Sequence, residues 1–377
     1  MAEPRCQFFG QCGGCSFQHV DYADQVENKR RQLVNAIGHE DIRLFTGSEY
    51  NYRNRMDLVF HSGGIGLRRK GSWHQIVDIP RCEIATGKIN TLVEEVRSFF
   101  TGVDYFNLRK NSGTYRYAVV RTPGGDSSVS IVLNADSTKL LQAREKISEF
   151  AERTSARNVL ITYVPHKTDM SISADYYVVK GSDELQSVIQ GREFTFNAQG
   201  FFQNNDEMIE AMQAYVREIF RRCDTAGTHL VDLYGGVGTF GIINADLFER
   251  VSVVESFPQA VVSARRNIEA NGAGNVHALE LDAKRLKNAE LPGRLTFITD
   301  PPRSGMNPRT ITALTRLAPE LIVYVSCNVK QLGRDLKKFS DYRIASAALF
   351  DFFPHTPHSE AVVELVREGE TGGDEAD

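Results

Sequence analysis

From about residue 206 onward, short apolar segments alternate with amphipathic stretches, and this alternation constrains the fold more than any other feature of the chain. Strands that are separated by helices pair in parallel, because each helix returns the chain to the starting edge of the sheet. The second half is therefore predicted to form a doubly wound α/β sheet. Ligands of such sheets bind beyond the carboxyl ends of the strands. Five polar side chains follow predicted strands at that edge: Tyr234, Glu255, Asp282, Asp300 and Cys327.

A glycine-rich turn joins the first of these strands to its helix, in Val231-Asp-Leu-Tyr-Gly-Gly-Val-Gly-Thr-Phe-Gly241. Glycine lets a ligand approach the backbone closely. The turn satisfies the G-x-G-x-x-G pattern, and Glu255 follows about 20 residues later, where an acid binds ribose hydroxyls. By itself this turn leaves NAD and S-adenosylmethionine as equal candidates.

Three later segments supply groups for chemistry on a pyrimidine ring: Asp300-Pro-Pro-Arg-Ser-Gly305, Val323-Tyr-Val-Ser-Cys-Asn-Val329 and His355-Thr-Pro-His-Ser-Glu360. A thiolate that adds to C6 of uracil makes C5 nucleophilic, and a base must afterwards remove the C5 proton. Cys327 is the candidate nucleophile, although its position at a strand end would equally suit a buried structural cysteine. Because it precedes a predicted helix, we expect its pKa to be lowered. A dehydrogenase has no use for such a cysteine, which favours S-adenosylmethionine.

In this order, the three segments resemble the RNA (uracil-C5)-methyltransferase family, and the resemblance extends over almost the whole chain. It implies that Cys327 forms a covalent adduct with uracil C6 and that Glu360 is the general base. On chemistry alone His355 and His358 are rival bases, and we interpret both as supporting residues. Family members modify both ribosomal and transfer RNA, so the expected substrate is a uridine of 23S rRNA or of the tRNA T-loop. The resemblance also implies residues that bind S-adenosylmethionine: Gln203, Tyr234, Glu255 and Asp300. Asp282, which follows the third predicted strand, would suit the adenine end of the cofactor.

Four of the six cysteines form a separate group: Cys6, Cys12, Cys15 and Cys82. Clustered cysteines of a cytosolic chain more often bind metal than form disulfides. Four thiolates suit zinc and an iron–sulfur cluster equally well. Family members that share the local Cys-Gly-Gly-Cys-x-x-Gln pattern hold a [4Fe–4S] cluster. The resemblance therefore implies a [4Fe–4S] cluster here, with zinc as the alternative.

Composition and periodicity divide the chain into four segments. Residues 1–45 are predicted to contain the cysteine-rich segment and a helix. Residues 46–193 are predicted to form a smaller α/β domain with an antiparallel sheet, and residues 194–367 the Rossmann-like methyltransferase domain. Residues 368–377 are predicted to be an acidic, disordered tail.

Two segments of the middle domain, Tyr52-Arg-Asn-Arg-Met56 and Leu67-Arg-Arg-Lys-Gly-Ser-Trp73, combine five basic residues with aromatic ones. Basic residues interleaved with aromatic side chains suit single-stranded or looped RNA. These segments are therefore predicted to contact RNA, although a solvated strand face would have a similar composition.

The net charge of −4 at pH 7 is unusual for an RNA-binding protein. Five acids lie in the last ten residues, and without them 44 basic residues stand against 43 acidic ones, so charge neither favours nor excludes RNA. No apolar run approaches the ~20 residues of a membrane span, and the N-terminal residues lack a secretory pattern. We therefore expect a cytoplasmic protein with no membrane contact and no obligate protein partner. Two alternatives stay open: an NAD-linked iron–sulfur oxidoreductase and a non-catalytic RNA-binding module.

Overall fold

A computed structural model describes residues 2–368, so the predicted acidic tail lies outside the described residues except for Glu368. The described chain forms two compact units. The first unit contains residues 2–26, 47–209 and 352–357, and the second contains residues 27–46, 210–351 and 358–368. These units are defined by contacts, and the predicted domain boundaries stay predictions.

Regular structure covers most of the described residues. The α-helices are α1 (Tyr22–Ile37), α2 (Gly87–Phe99), α3 (Leu140–Arg153), α4 (Asp206–Arg222), α5 (Thr239–Ile243), α6 (Pro258–Ala270), α7 (Pro308–Leu317) and α8 (Val329–Leu336). The first ten strands are β1 (Ile42–Phe45), β2 (Arg55–His61), β3 (Gly64–Arg68), β4 (Ile76–Asp78), β5 (Tyr115–Arg121), β6 (Ser128–Asn134), β7 (Asn158–Val164), β8 (Tyr176–Lys180), β9 (Glu184–Ile189) and β10 (Arg192–Asn197). The remaining strands are β11 (Thr228–Leu233), β12 (Arg250–Glu255), β13 (Val276–Glu280), β14 (Arg294–Thr299), β15 (Leu321–Ser326), β16 (Tyr342–Phe350) and β17 (Glu360–Arg367).

The second unit is built on a sheet with the strand order β1-β16-β17-β15-β14-β11-β12-β13. The strands from β11 to β15 pair in parallel, which confirms the predicted doubly wound α/β fold. However, β17 runs antiparallel to both of its neighbours, β15 and β16. No helix separates β16 from β17, so the chain returns in the opposite direction. This antiparallel insertion was not predicted from the sequence.

The core of the second unit lies where the buried faces of the strands meet the helices. Residues of β11, β14 and β15 are fully buried, among them Phe297, Ile322 and Tyr324. α1 contributes Leu33 to the same core, and it is the helix that was predicted within residues 1–45. Burying large apolar side chains contributes about 1.5–3 kcal/mol each, which fixes the positions of the strand ends that follow them.

The first unit contains a seven-stranded sheet in the order β4-β3-β2-β5-β6-β7-β8. All of its neighbouring strands are antiparallel except β6 and β7, which are parallel. This sheet confirms the predicted antiparallel α/β region. Residues of α2 and α3 pack on it, including Leu92, Val96 and Ile147. β9 and β10 form a separate hairpin where the sequence indicated only a boundary.

No helix within residues 2–368 is long and apolar enough to cross a membrane.

Candidate active site

The carboxyl edge of the parallel strands gathers several of the predicted cofactor residues. β11 pairs in register with β14 on one side and with β12 on the other. This register places Tyr234, directly after β11, beside Asp300, which follows β14, and Glu255, which ends β12. The predicted convergence of these three residues is therefore observed.

The glycine-rich turn after β11 is held in shape by a carboxylate. Glu255 Oε2 accepts a hydrogen bond from the Gly236 amide at 3.1 Å, while its Oε1 accepts one from Phe257 N at 2.8 Å. A Cβ at Gly235 would lie 2.6 Å from Val253 Cγ1, so only glycine lets the turn pack this closely on β12. The result is a compact backbone loop with an acidic rim, which suits a ligand that bears hydroxyl groups and positive charge.

Asp232, inside β11, is a functional candidate that the sequence analysis did not single out. It is 1% exposed, and its Oδ2 accepts a hydrogen bond from Gly241 N at 2.9 Å. Its pKa is raised to about 7, mainly by burial, with smaller contributions from the negative charges of Asp300 and Glu255. An acidic residue in the middle of an apolar strand was the sequence signal that could have identified Asp232. Through its hydrogen bond with Gly241 N, Asp232 holds the glycine-rich segment against β11.

The other two predicted cofactor residues differ in their surroundings. Asp282 is exposed and accepts a hydrogen bond from Lys284 N at 2.9 Å, which caps a short 3₁₀-helix. Tyr234 has a raised pKa, mainly because of burial, and the charge of Asp282 contributes to it. Asp282 is thus part of the same edge.

Gln203 lies in the first unit, in the segment between β10 and α4, and is half-buried; its role stays a prediction.

The candidate nucleophile and base come from paired strands. Ser326, the last residue of β15, pairs with Ala361 of β17. In an antiparallel ladder, the residue after one partner faces the residue before the other. Cys327 is therefore directly across from Glu360. Glu360 is 4% exposed and Cys327 is half-buried.

The expected lowering of the Cys327 pKa is wrong. The pKa of this thiol is raised to about 11, mainly by burial and in addition by the charges of Glu360 and Asp300. The start of α8 does not compensate, since the side chain of Asn328 accepts the hydrogen bond from Gln331 N at 3.3 Å and caps the helix. Desolvation and two carboxyl groups therefore outweigh the helix terminus.

Burial acts on both neighbouring carboxyl groups, Asp300 and Glu360. Burial raises the pKa of Asp300 to about 7. Burial also raises the pKa of Glu360 well above its usual value, and the charge of Asp300 adds to this. Arg303 acts in the opposite direction, because its positive charge lowers the pKa of both Cys327 and Glu360. Its Nη2 lies 3.5 Å from Nδ1 of His358.

Alkylation of Cys327 in the free protein should therefore depend steeply on pH. Only the thiolate reacts with iodoacetamide, and a thiol with a pKa of about 11 is protonated at neutral pH. The rate at Cys327, followed by mass spectrometry of its peptide, should rise about ten-fold per pH unit between pH 7 and 10. Arg303→Met should slow the reaction at each pH because a favourable positive charge is lost. A rate that levels off below pH 8 would contradict this assignment.

His355, the other predicted supporting histidine, belongs to the first unit. It is buried, with a positive φ of 65°. Its backbone carbonyl accepts hydrogen bonds from Ser16 N at 2.8 Å and from Phe17 N at 3.0 Å. Its observed contacts thus connect residues 352–357 to the segment that follows Cys15.

All four clustered cysteines line one cavity of about 650 Å³ in the first unit, which we call the cysteine cavity. Burial raises the pKa of Cys15 to about 12, and the charges of the other three thiols contribute in the same direction. The four side chains are therefore close enough to interact. Nevertheless, within residues 2–368 no group of three or more His, Cys, Asp or Glu side chains is arranged to hold a metal ion. The predicted metal centre is not confirmed.

Both basic segments also line the cysteine cavity. The backbone of Cys12 bridges to that of Arg69, and Gly13 N donates to Arg68 O at 2.9 Å. Arg69 and Lys70 are exposed and have no ion-pair partner among the residues that the structure describes.

The aromatic residues of the two basic segments differ in exposure. Trp73 is 59% exposed. Tyr52 is buried, and its hydroxyl donates to Pro354 O at 3.0 Å, so its predicted availability for RNA stacking is wrong.

Comparison with known proteins gives a consistent result. A model of the tRNA (Uracil-5-)-methyltransferase family matches residues 21–368. A tRNA (uracil(54)-C(5))-methyltransferase of Pyrococcus abyssi is 33% identical over 365 residues, which cover 96% of this chain and 86% of the relative. An uncharacterized RNA methyltransferase of Caldanaerobacter subterraneus subsp. tengcongensis is 31% identical over 96% of this chain and 84% of its own length.

A solved structure is similar as well. It is the crystal structure of the Pyrococcus abyssi tRNA (uracil-54, C5)-methyltransferase in complex with S-adenosyl-L-homocysteine. The TM-score is 0.78 at 29% sequence identity, and the match covers 94% of this chain and 86% of that one. These relatives do not favour an NAD-linked oxidoreductase.

Proposed function

This chain belongs to the tRNA (uracil-5-)-methyltransferase family, and from that premise we propose that it transfers a methyl group from S-adenosylmethionine to C5 of uracil 54 in tRNA. The observation that carries the proposal is the placement of Cys327 across from Glu360, with Asp300 and Arg303 beside them. Nucleophile, base and charge-stabilising cation are the groups that substitution at C5 of uracil requires.

The carboxyl edge of the second unit fits S-adenosylmethionine. Glu255 offers carboxylate oxygens to ribose hydroxyls, Tyr234 offers an aromatic ring, and Asp300 offers a negative charge beside Cys327. When bound, S-adenosylmethionine supplies the methyl group and a sulfonium positive charge. An opposite charge near a thiol lowers its pKa, which resolves the apparent conflict between a raised pKa in the free protein and a nucleophilic role.

The reaction starts at Cys327. Its thiolate attacks C6 of uracil, and the C5–C6 electron pair moves toward C5 and the O4 oxygen. The positive charge of Arg303 favours the Cys327 thiolate and would in the same way stabilise negative charge on the ring. Carbon C5 would then bond to the methyl group as the bond between that methyl group and the sulfonium sulfur breaks, which would leave S-adenosylhomocysteine.

Glu360 completes the reaction. Its carboxylate removes the proton from C5, the C5–C6 double bond re-forms, and the thiolate of Cys327 leaves. Burial raises the Glu360 pKa, and a carboxylate with a raised pKa is a stronger base toward the C5 proton. Both groups are restored after the proton passes to solvent.

Nucleoside analysis tests the substrate. Unmodified tRNA and 23S rRNA should be incubated separately with the protein and labelled S-adenosylmethionine. We expect 5-methyluridine in tRNA alone, and none when uridine 54 is replaced by cytidine. Methylation confined to 23S rRNA would overturn the choice of substrate, while methylation of neither RNA would contradict the proposed function.

We also propose that the basic segments at the cysteine cavity bind the RNA backbone. Support comes from Arg69 and Lys70, which are exposed cations beside the exposed ring of Trp73. Cations contact phosphates and aromatic rings stack on unpaired bases.

Charge removal at this surface should weaken RNA binding in a salt-dependent way. For Arg69→Gln combined with Lys70→Gln, we expect the slope of log Kd against log salt to fall by about 1 per charge removed, because fewer counterions are released. The matched control is Arg109→Gln with Lys110→Gln, an exposed basic pair of the same unit that does not line the cysteine cavity. Equal slopes for the two double variants would contradict an RNA contact at this site.

Finally, we propose that Cys6, Cys12, Cys15 and Cys82 hold a [4Fe–4S] cluster. All four thiols face one cavity, and four cysteine ligands are what such a cluster requires. Protein purified without oxygen should contain iron and inorganic sulfide in equal amounts, and Cys82→Ser should lose both. Bound zinc without sulfide would favour the alternative metal.

A further inference from the structure

We infer that Asp335 is a positioning residue, which fixes the loop carrying Asp300 and Arg303 against the helix that follows Cys327. The inference rests on the proposed function of this site. Asp335 lies near the end of α8 and is completely buried. It touches none of the reacting groups, so any effect on the reaction passes through the loop.

Every acceptor position of the Asp335 carboxylate is used. Oδ2 accepts hydrogen bonds from Met306 N at 3.0 Å and from the Tyr324 hydroxyl at 2.9 Å. Oδ1 accepts from Gln331 Nε2 and from Lys338 Nζ, both at 3.1 Å. A carboxylate has about four lone-pair sites. The four donors therefore fix its orientation.

The loop is shaped to receive this carboxylate. Gly305 has a φ of 80°, and a Cβ at this position would overlap Asp335 Oδ2. The glycine that ends Asp300-Pro-Pro-Arg-Ser-Gly305 thus leaves the space that the carboxylate fills. Met306, the next residue, then donates its backbone N–H to the same oxygen.

A second link holds the loop at the other end of α8. The side chain of Asn328, directly after Cys327, donates from Nδ2 to the carbonyl of Arg303 at 2.9 Å. Asn328 and Asp335 together attach the loop to both ends of one helix. With Asn328 alone, the loop could rotate about a single attachment, and Arg303 would no longer be held beside Cys327.

Asp335→Asn tests the inference while it preserves side-chain volume. The amide nitrogen cannot accept a hydrogen bond, so one pair of donors loses its acceptor in either orientation. We expect kcat to fall about 10²-fold, as for a reacting group misplaced by about 1 Å, with the KM for S-adenosylmethionine nearly unchanged. Alkylation of Cys327 should also become slower at each pH, because Arg303 moves away and its positive charge no longer favours the thiolate. A role confined to stability would leave that reaction unchanged.

Two further variants complete the experiment. Lys338 also donates to the Asp335 carboxylate, but its side chain is 44% exposed. Lys338→Met should therefore keep kcat within about two-fold. Gly305→Ala displaces the carboxylate from the loop without removing its charge, and it should reproduce the loss of Asp335→Asn. If thermal unfolding shows that Asp335→Asn does not fold, Gly305→Ala tests the positioning role in its place.

The outcomes separate this inference from the proposed function. Wild-type kcat and a wild-type alkylation profile in folded Asp335→Asn or Gly305→Ala would overturn the positioning role. If the wild-type protein methylates no RNA, the proposed function fails, and the alkylation profiles of the variants still decide whether Asp335 positions the loop.

Discussion

Cys327→Ala is expected to abolish formation of 5-methyluridine, with a loss of on the order of 10³-fold or more, which corresponds to ~4 kcal/mol of transition-state stabilisation. Without the thiolate, C5 of uracil lacks the electron density to attack a methyl group. The remaining groups, Asp300 and Arg303, bind and polarise but cannot form the C6 bond. The measurement is methyl transfer to tRNA, with binding of S-adenosylhomocysteine as a check that the cofactor edge is intact.

The chain offers a matched control for this variant. Cys223 is the other isolated cysteine of the second unit, and its thiol contacts Glu364 at 3.7 Å. Cys223→Ala should keep wild-type methyl transfer, since this thiol faces no reacting group. If Cys327→Ala retained more than a tenth of the wild-type rate, the covalent mechanism would be wrong.

Glu360→Gln should trap the protein on its substrate. The glutamine side chain has nearly the same shape but cannot accept the C5 proton, so the bond from Cys327 to C6 cannot be eliminated after the methyl group has been added. Turnover should fall by about 10²–10⁴-fold, the usual contribution of a general base. A protein–RNA complex that survives denaturing electrophoresis should accumulate, and its mass should include the added methyl group.

The double variant Cys327→Ala with Glu360→Gln is the control for this complex. It should form no denaturation-resistant band, because the attacking sulfur is missing. If Glu360→Gln turned over nearly as fast as the wild type and left no stable complex, another group would have to be the base. His358 would then be the first candidate, because it lies beside Arg303.

The features that sequence could predict are those that follow from local pattern. The strand–helix alternation indicated the parallel strands, and their carboxyl ends gathered Tyr234, Glu255 and Asp300. The antiparallel β17 could not be found in this way, because alternation says nothing about a strand that inserts between two others. Its neighbour β16 was also missed. The role of Glu360 followed from a family resemblance, and only the register with β15 supplies a geometric reason for it.

Electrostatic properties were the least predictable part of the site. The helix after Cys327 suggested a lowered pKa, whereas the folded chain raises it through burial and through carboxyl groups that are distant in sequence. The roles of Asp232 and Asp335 also depend on backbone N–H groups brought to them by folding. Likewise, Tyr52 lies in a polar segment, yet its ring is buried. The sequence shows which side chains are present, but their pKa values, hydrogen bonds and burial depend on neighbours that only folding brings to them.

The place of β17 in the sheet has a consequence for how the protein is made. β17 follows every other strand that the structure describes, yet it sits between β15 and β16 and supplies Glu360. Because translation proceeds from the N-terminus, β16 has no connection to β15 through the sheet until β17 has left the ribosome. Domains can begin to fold during synthesis, but this pairing must wait. On the mechanism proposed above, the nascent chain carries the Cys327 thiol without the Glu360 carboxylate until β17 has been made.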